Sequence, residues 1–243
     1  MKTSVFAKLA AAALACLMTF GTATASSGGG LQSAGVSLND TGSLQRGAKL
    51  YFNYCSGCHS LQFLRYSRIA EDLGLDPAEV EKSFVFTGAK VGEHAVNHMP
   101  FDEATQWFGK APPDLSLVGR SRGEDWIYTY LKSFYLDPSR PLGWNNTLFE
   151  NASMPNPLWQ LQGIQVRKPA AEDGSHGLDL HVAGSQSAAE FDQTARDISA
   201  FLLYAAEPAA LKRTSVGVWV LLYLALFTFL AFLLKGAYWK DVH

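Results

Sequence analysis

Nineteen consecutive residues without a charge, Val216 to Leu234, keep the C-terminal end of this 243-residue chain out of any water-soluble core. The run is rich in Leu, Phe and Val and is bounded by Lys212 and Arg213 on one side and Lys235 and Lys240 on the other. As a helix it spans about 28 Å, close to the hydrocarbon thickness of a bilayer. A buried soluble helix of this length normally keeps one polar face, and this run has none. Trp219 and Tyr223 near one end, with Tyr238 and Trp239 near the other, suit the interfacial aromatic belts. A transmembrane helix is predicted. Its basic flanks nearly balance, so they do not set its orientation.

The orientation comes from the other end. Met1 to Ala25 has a positive start (Lys2, Lys8), an apolar run from Leu9 to Phe20, and the small-x-small site Ala23-Thr24-Ala25. It reads as a secretory signal, with an uncleaved anchor as the alternative, since the run is shorter than the roughly 20 residues a bilayer needs. Export puts the main domain outside the membrane and Val242 and His243 on the cytoplasmic side. Cys16 then leaves with the leader, and Cys55 and Cys58 remain in an oxidising compartment, where so close a pair must be protected or used. The expected boundaries are a signal at 1–25, a flexible lead-in at 26–42, a folded domain at 43–211, an anchor at 212–236 and a tail at 237–243.

Between Ser26 and Leu211 there are 14 Lys and Arg against 21 Asp and Glu, a balance of −7. Nucleic acid is excluded as a ligand, because phosphate binding needs a basic face. A basic protein partner suits such a domain better. Glu71, Asp72, Asp76, Glu79 and Glu81 cluster, as a docking patch or a solvated helix face. Apolar residues at 44, 48, 51, 52 and 55 predict a helix over Leu44 to Tyr54. Ser121 with Glu124, and Ser187 with Glu190, form capping boxes ahead of two further amphipathic helices, the last stopped by Pro208. Gly47 and Tyr51 face the direction of that last helix and permit close crossing. Leu158 to Val166 and Leu178 to Val182 suggest a small hairpin around Glu172-Asp173-Gly174. Ala89 to Asp114 and Asp137 to Pro157 read as irregular, and loops this long are uncommon unless they wrap something large. The fold class is mainly α, with long loops and one C-terminal transmembrane helix.

Cys55-Ser56-Gly57-Cys58-His59 is a C-x-x-C-H run, the attachment signature of a c-type haem. Two thiols three residues apart can each form a thioether with a vinyl group, and the following histidine is placed to bind iron. Half of a zinc site and a thioredoxin-like redox pair are the competing readings. Zinc lacks a further cysteine outside the leader, and a redox pair normally sits in a βαβ setting. Function then turns on the sixth ligand: an open position permits oxygen or gas chemistry, and a second strong ligand leaves electron transfer. Met99 and Met154 each precede a proline, while His94, His98, His176 and His181 are the histidine candidates. His94, His98 and Met99 crowd one loop and cannot all ligate. Arg120 and Arg122 follow Pro112-Pro113-Asp114-Leu115 and are placed to pair with haem propionates. Asn145-Asn146-Thr147 and Asn151-Ala152-Ser153 match glycosylation sequons, which in an Asn-rich loop read as chance.

In this order the motifs resemble those of the cytochrome c1 family, the haem subunit of ubiquinol–cytochrome c oxidoreductase (complex III). The resemblance runs from Gly47 to about Lys240. It rests on Cys55-Ser-Gly-Cys-His59 with Ser60-Leu-Gln-Phe-Leu-Arg65-Tyr66, Ala111-Pro-Pro-Asp-Leu-Ser116, Gly123-Glu-Asp-Trp126, Met154-Pro155, and Ala205-Ala-Glu-Pro208 before the single span. It implies a class I cytochrome c-like domain with one covalent haem c on Cys55 and Cys58. His59 would be the proximal ligand and Met154 the distal one, with Pro113, Arg122 and Trp126 lining the haem or meeting its propionates. It also implies an electron taken from the Rieske iron–sulfur subunit and passed to a soluble c-type cytochrome, beside cytochrome b. The setting would be a dimeric complex of a bacterial inner membrane, with the haem domain on the periplasmic side. The loops are shorter than in mitochondrial relatives, so docking residues are not carried over. The rival readings are a membrane-tethered c-type cytochrome of another respiratory complex and a five-coordinate haem enzyme or gas sensor.

Overall fold

The computed structural model describes residues 30–169 and 177–241. The leader with Cys16, the hairpin tip at 172–174, His176 and the last two residues lie outside them. Residues 32 onwards form one unit, built on a helix crossing. Helix α1 (Thr41–Tyr54) starts where the Asp40 carboxylate accepts from the Ser43 N–H, and it buries Leu44, Ala48, Tyr51 and Phe52, the face that the sequence spacing marks. Helix α8 (Ala188–Ala206) starts with the predicted capping box, Ser187 with Glu190. Gly47 lets the two backbones touch: a Cβ there would lie 2.0 Å from the Asp197 carbonyl oxygen. The crossing is closed by the Asp197 carboxylate, 3% exposed, which accepts from Ser43 Oγ at 2.6 Å and Arg46 Nε at 2.7 Å. Tyr51, Phe52, Phe84, Phe201 and Tyr204 form an aromatic core around it.

The other elements are short. Strand β1 (Leu61–Arg65) leads into α2 (Tyr66–Leu73) and α3 (Pro77–Phe84) and pairs antiparallel with β2 (His94–Ala95). Then come α4 (Phe101–Phe108), α5 (Val118–Ser121) and α6 (Glu124–Lys132). Strand β3 (Phe134–Leu136) pairs with β4 (Trp144–Asn146), and after α7 (Trp159–Gln162), β5 (Gly163–Arg167) pairs with β6 (Leu178–Ala183). Gly119 repeats the Gly47 device, since a Cβ there would lie 2.6 Å from the Leu202 carbonyl oxygen of α8. Helix α8 is thus the spine on which α1, α5 and α6 are mounted.

Several expectations need correction. Helix α6 has no Ser121 capping box: Ser121 ends α5, and Gly123, at φ 83°, is the N-cap without a side-chain bond. That conformation favours glycine, and Glu124 and Asp125 complement the helix dipole instead. The segment 89–114 is not all loop, because β2 and α4 lie in it, and β4 lies in 137–157. Leu158 to Gln162 is not strand; α7 precedes the hairpin. Part of the lead-in is pinned: Gln32 N–H donates to Thr129 Oγ1 at 2.9 Å, Ala34 N–H to Asp125 Oδ1 at 2.6 Å, and Ala34 is fully buried. Asp72 leaves the acidic cluster, since its carboxylate is buried against Arg68 and Tyr204.

Asp192 ties α8 to α6. It accepts from Tyr128 Oη and Arg196, and from Lys132 Nζ at 2.6 Å. Burial pushes its pKa up, but these donors outweigh that and hold it at about 2. A depressed carboxyl pKa stabilises the fold above the ordinary value near about 3.9 and loses that contribution as pH falls towards 2. Asp192→Asn is therefore expected to destabilise the domain by about 1–2 kcal/mol at neutral pH. The gap from wild type should close between about pH 4 and 2 in denaturant titrations. A gap independent of pH would refute the assignment.

Helix α9 (Ala210–Tyr238) follows after Glu207-Pro208-Ala209. Its stretch Ser215–Tyr238 has mean hydropathy 2.5 and none of its apolar window is buried. At 24 residues it is about 36 Å long, enough to cross a bilayer with some tilt.

Candidate functional site

Helix α1 delivers the C-x-x-C-H run. The Cys55 N–H ends the helix on the Tyr51 carbonyl at 2.8 Å, and the Cys58 and His59 N–H groups both return to the Cys55 carbonyl, at 3.1 and 2.9 Å. Two side-chain bonds fix this loop, one from α1 and one from a distant segment. Tyr51 Oη donates to the His59 carbonyl at 2.7 Å, and Asn97 Nδ2 donates to the Cys58 carbonyl at 2.6 Å.

His59 is buried, and its Nδ1 lies 2.7 Å from the Pro113 carbonyl oxygen. A carbonyl only accepts, so Nδ1 carries the proton and Nε2 of the neutral ring keeps its lone pair. Burial pushes the imidazole pKa down, against this hydrogen bond and the nearby Asp114 charge, which favours that neutral form. A metal-binding histidine is normally oriented this way, by a partner on its other nitrogen. Pro113 acts here through its backbone oxygen. Its loop is held by Leu115 N–H on the Ser60 carbonyl and by Asp114, which accepts from Gln62 N–H.

Burial sets the protonation of the two thiols. Cys55 is 7% exposed, and burial, with the neighbouring Cys58 adding to it, pushes its pKa up to about 12. Cys58 is half-buried and also raised by burial. Redox cysteines have lowered values that expose a thiolate; these do the opposite. Among the described residues, no group of three or more His, Cys, Asp or Glu gathers as a metal-ion cage. Neutral, desolvated sulfurs fit conversion to uncharged thioethers.

A second constellation sits on and around α6. Arg122, the C-cap of α5, places its guanidinium carbon 5.0 Å from the Trp126 ring centroid. Trp126 stacks on Tyr130 at 4.9 Å, and Tyr130 Oη lies 3.6 Å from Met154 Sδ. Burial pushes the Tyr130 phenol up to about 12, which keeps its proton in place. Arg120 is engaged with Glu207 at 3.7 Å, whereas Arg122 makes no ion pair among the described residues, leaving a cation available to an anionic group. No hydrogen bond, ion pair or ring contact joins Arg122, Trp126 and Met154 to Cys55, Cys58, His59 and Pro113 among the described residues. The helices that lead into the two sets, α1 for the first and α5 and α6 for the second, all pack on α8.

The remaining candidates separate. A cleft of about 230 Å³ beside Cys58 is lined by Ser60, Asn97, Met99 and Pro112, so Met99 stays a second sulfur near the motif. His94 belongs to β2 opposite Arg65, and His181 is exposed on β6. Sequence reasoning missed the roles of Asn97 and Tyr130. Tyr130 had one signal, its position one helical turn after Trp126, which puts both rings on one face.

Residues 33–242, nearly the whole chain, match the Cytochrome C1 family. The chain belongs to the cytochrome c1 family. It is similar to cytochrome c1 of Allochromatium vinosum, with 50% identity over 91% of this chain and 94% of that one. It is also similar to the ammonia monooxygenase gamma subunit of Nitrosomonas europaea, with 40% identity over 88% and 89%. Cytochrome c1 of Rhodospirillum rubrum is 31% identical over 84% and 83%. The chain is accordingly a membrane-anchored, electron-transferring member of the cytochrome c1 family, and the family implies a covalent c-type haem.

Proposed function

We propose that this chain is the haem subunit of a quinol–cytochrome c reductase of a bacterial inner membrane, exported by its leader and facing the periplasm. Cys55 and Cys58 would hold one haem c through thioethers, and His59 through Nε2 and Met154 through Sδ would ligate its iron. Arg122 supplies positive charge for a propionate, and Pro113 and Trp126 line the ring. When bound, the haem supplies a one-electron ferric–ferrous couple. The chain's own residues do the rest: Pro113 orients the His59 ring, Tyr51 and Asn97 fix the attachment loop, and burial excludes water. The electron comes from a Rieske iron–sulfur subunit, beside cytochrome b in a dimeric complex, and leaves to a soluble c-type cytochrome. A basic acceptor complements the acidic domain.

The observation that carries the reading is the oriented, neutral His59 directly after one buried and one half-buried thiol. The Nitrosomonas relative supports a second reading, a c-type cytochrome serving another membrane complex. Affinity purification from gently solubilised membranes decides between them. Copurifying cytochrome b and Rieske subunits are expected, and subunits of a monooxygenase or of a haem–copper oxidase would overturn the first reading. Carbon monoxide should barely change the reduced spectrum; a ready change would show an open sixth position. Met154→Leu should remove the sulfur-to-iron charge-transfer band and Met99→Leu should keep it, with the reverse result transferring the ligand role to Met99.

A further inference from the structure

Met154 lies outside every helix and strand, followed by Pro155. A thioether on three rotatable bonds has no preferred direction of its own, so a fixed axial sulfur needs something that holds it. The one polar contact to Met154 Sδ among the described residues is Tyr130 Oη, at 3.6 Å with donor geometry. Tyr130 itself is clamped. Its ring stacks on Trp126 with 10° between planes and meets Phe134 edge-on at 5.0 Å, and its carbonyl accepts from Asn146 Nδ2 at 2.9 Å. The Asp192 ties beside it fasten α6 to α8.

We propose that Tyr130 is a positioning residue that holds the Met154 sulfur by a hydrogen bond and raises the reduction potential of the iron it ligates; this rests on Met154 being the axial ligand. Occupying one sulfur lone pair orients the other. The hydroxyl dipole also places its positive end at the sulfur, which weakens electron donation and disfavours the more positive ferric state. The dipole therefore favours the reduced form, and the orientation keeps the sulfur in place for it. Donor bonds around a ligand sulfur are a general means of setting the potential of a metal centre.

The test is Tyr130→Phe in the solubilised holoprotein, which removes one oxygen and keeps the ring. At fixed ambient potential the reduced-to-oxidised ratio is expected to fall about threefold to tenfold, tenfold being about 59 mV for a one-electron couple. The charge-transfer band should shift but persist. Tyr135→Phe, which removes a neighbouring hydroxyl with no contact to the sulfur, should leave potential and band in place. Resonance Raman spectra of the wild type in heavy water give a check without substitution, through a shift of the iron–sulfur stretch. An unchanged ratio and band in Tyr130→Phe, or an equal fall in Tyr135→Phe, overturns the proposal. If Met154→Leu retains the band, the ligand assignment itself has failed; if it loses the band while Tyr130→Phe changes nothing, only the role of Tyr130 has.

Discussion

Alanine at Gly47 is expected to leave almost no folded, haem-bearing protein in the membrane. The added methyl would lie 2.0 Å from the Asp197 carbonyl oxygen, 2.7 Å from its carbon and 2.8 Å from Phe201 Cβ. Two of these atoms are backbone and the third is a Cβ, so no flexible tip can move aside. Helix α1 would have to lift off α8. That movement pulls Ser43 and Arg46 away from Asp197 and leaves its carboxylate, 3% exposed in the native packing, with Gln193 Nε2 of its own helix as the remaining donor. Overpacking alone costs about 1–3 kcal/mol, and losing the Ser43 and Arg46 bonds to a buried carboxylate adds up to about 3 kcal/mol, the cost of hydrogen bonds to a charged group. Together these approach the whole stability of an ordinary domain, about 5–15 kcal/mol. Haem stain per unit of chain on a denaturing gel checks this, with Gly92→Ala as the control, because nothing lies within 4 Å of a Cβ there. Wild-type accumulation and haem content in Gly47→Ala would show that the helices separate at little cost.

What the sequence shows and what it hides follow from the range of the forces involved. Helices α1 and α8 were legible because periodic apolar residues and a reciprocal cap are local signals, and Gly47 was legible as a crossing point because it lies on their shared face. Helix α4 was not. It begins after Pro100 with no side-chain cap and ends at Gly109 with φ 79°, so its punctuation reads as loop. The Ser121–Glu124 pair has the right spacing for a cap, but a glycine with positive φ intervenes and the chain uses it. In the site, the chemistry of Cys55, Cys58 and His59 is written in five adjacent residues. Their environment is not: the partners of His59 and Met154 lie 54 and 24 residues away, at Pro113 and Tyr130. Pair contacts of that kind leave no periodicity or spacing to read.

Substituting both Cys55 and Cys58 should abolish covalently retained haem, and the choice of substituent separates attachment from packing. Cys55 sits at the end of α1 inside the core, 7% exposed, so serine there places a hydroxyl where a weakly polar thiol stood. An unsatisfied buried hydroxyl costs about 1–3 kcal/mol by itself, whereas alanine removes the sulfur without adding a polar group. The alanine pair is therefore the cleaner test of attachment. It should show no haem stain after denaturation and a polypeptide mass without the haem increment, and the serine pair should add a lower yield of chain. Either single alanine leaves one possible thioether, so each should keep some haem-bearing chain, less stable than wild type. The half-buried Cys58 should be the more tolerant position, because its loss opens little of the core. Haem retained through denaturation in the double alanine variant would mean that attachment runs through another residue. The burial of Cys55 and half-burial of Cys58 would then be an ordinary feature of packing at the end of α1.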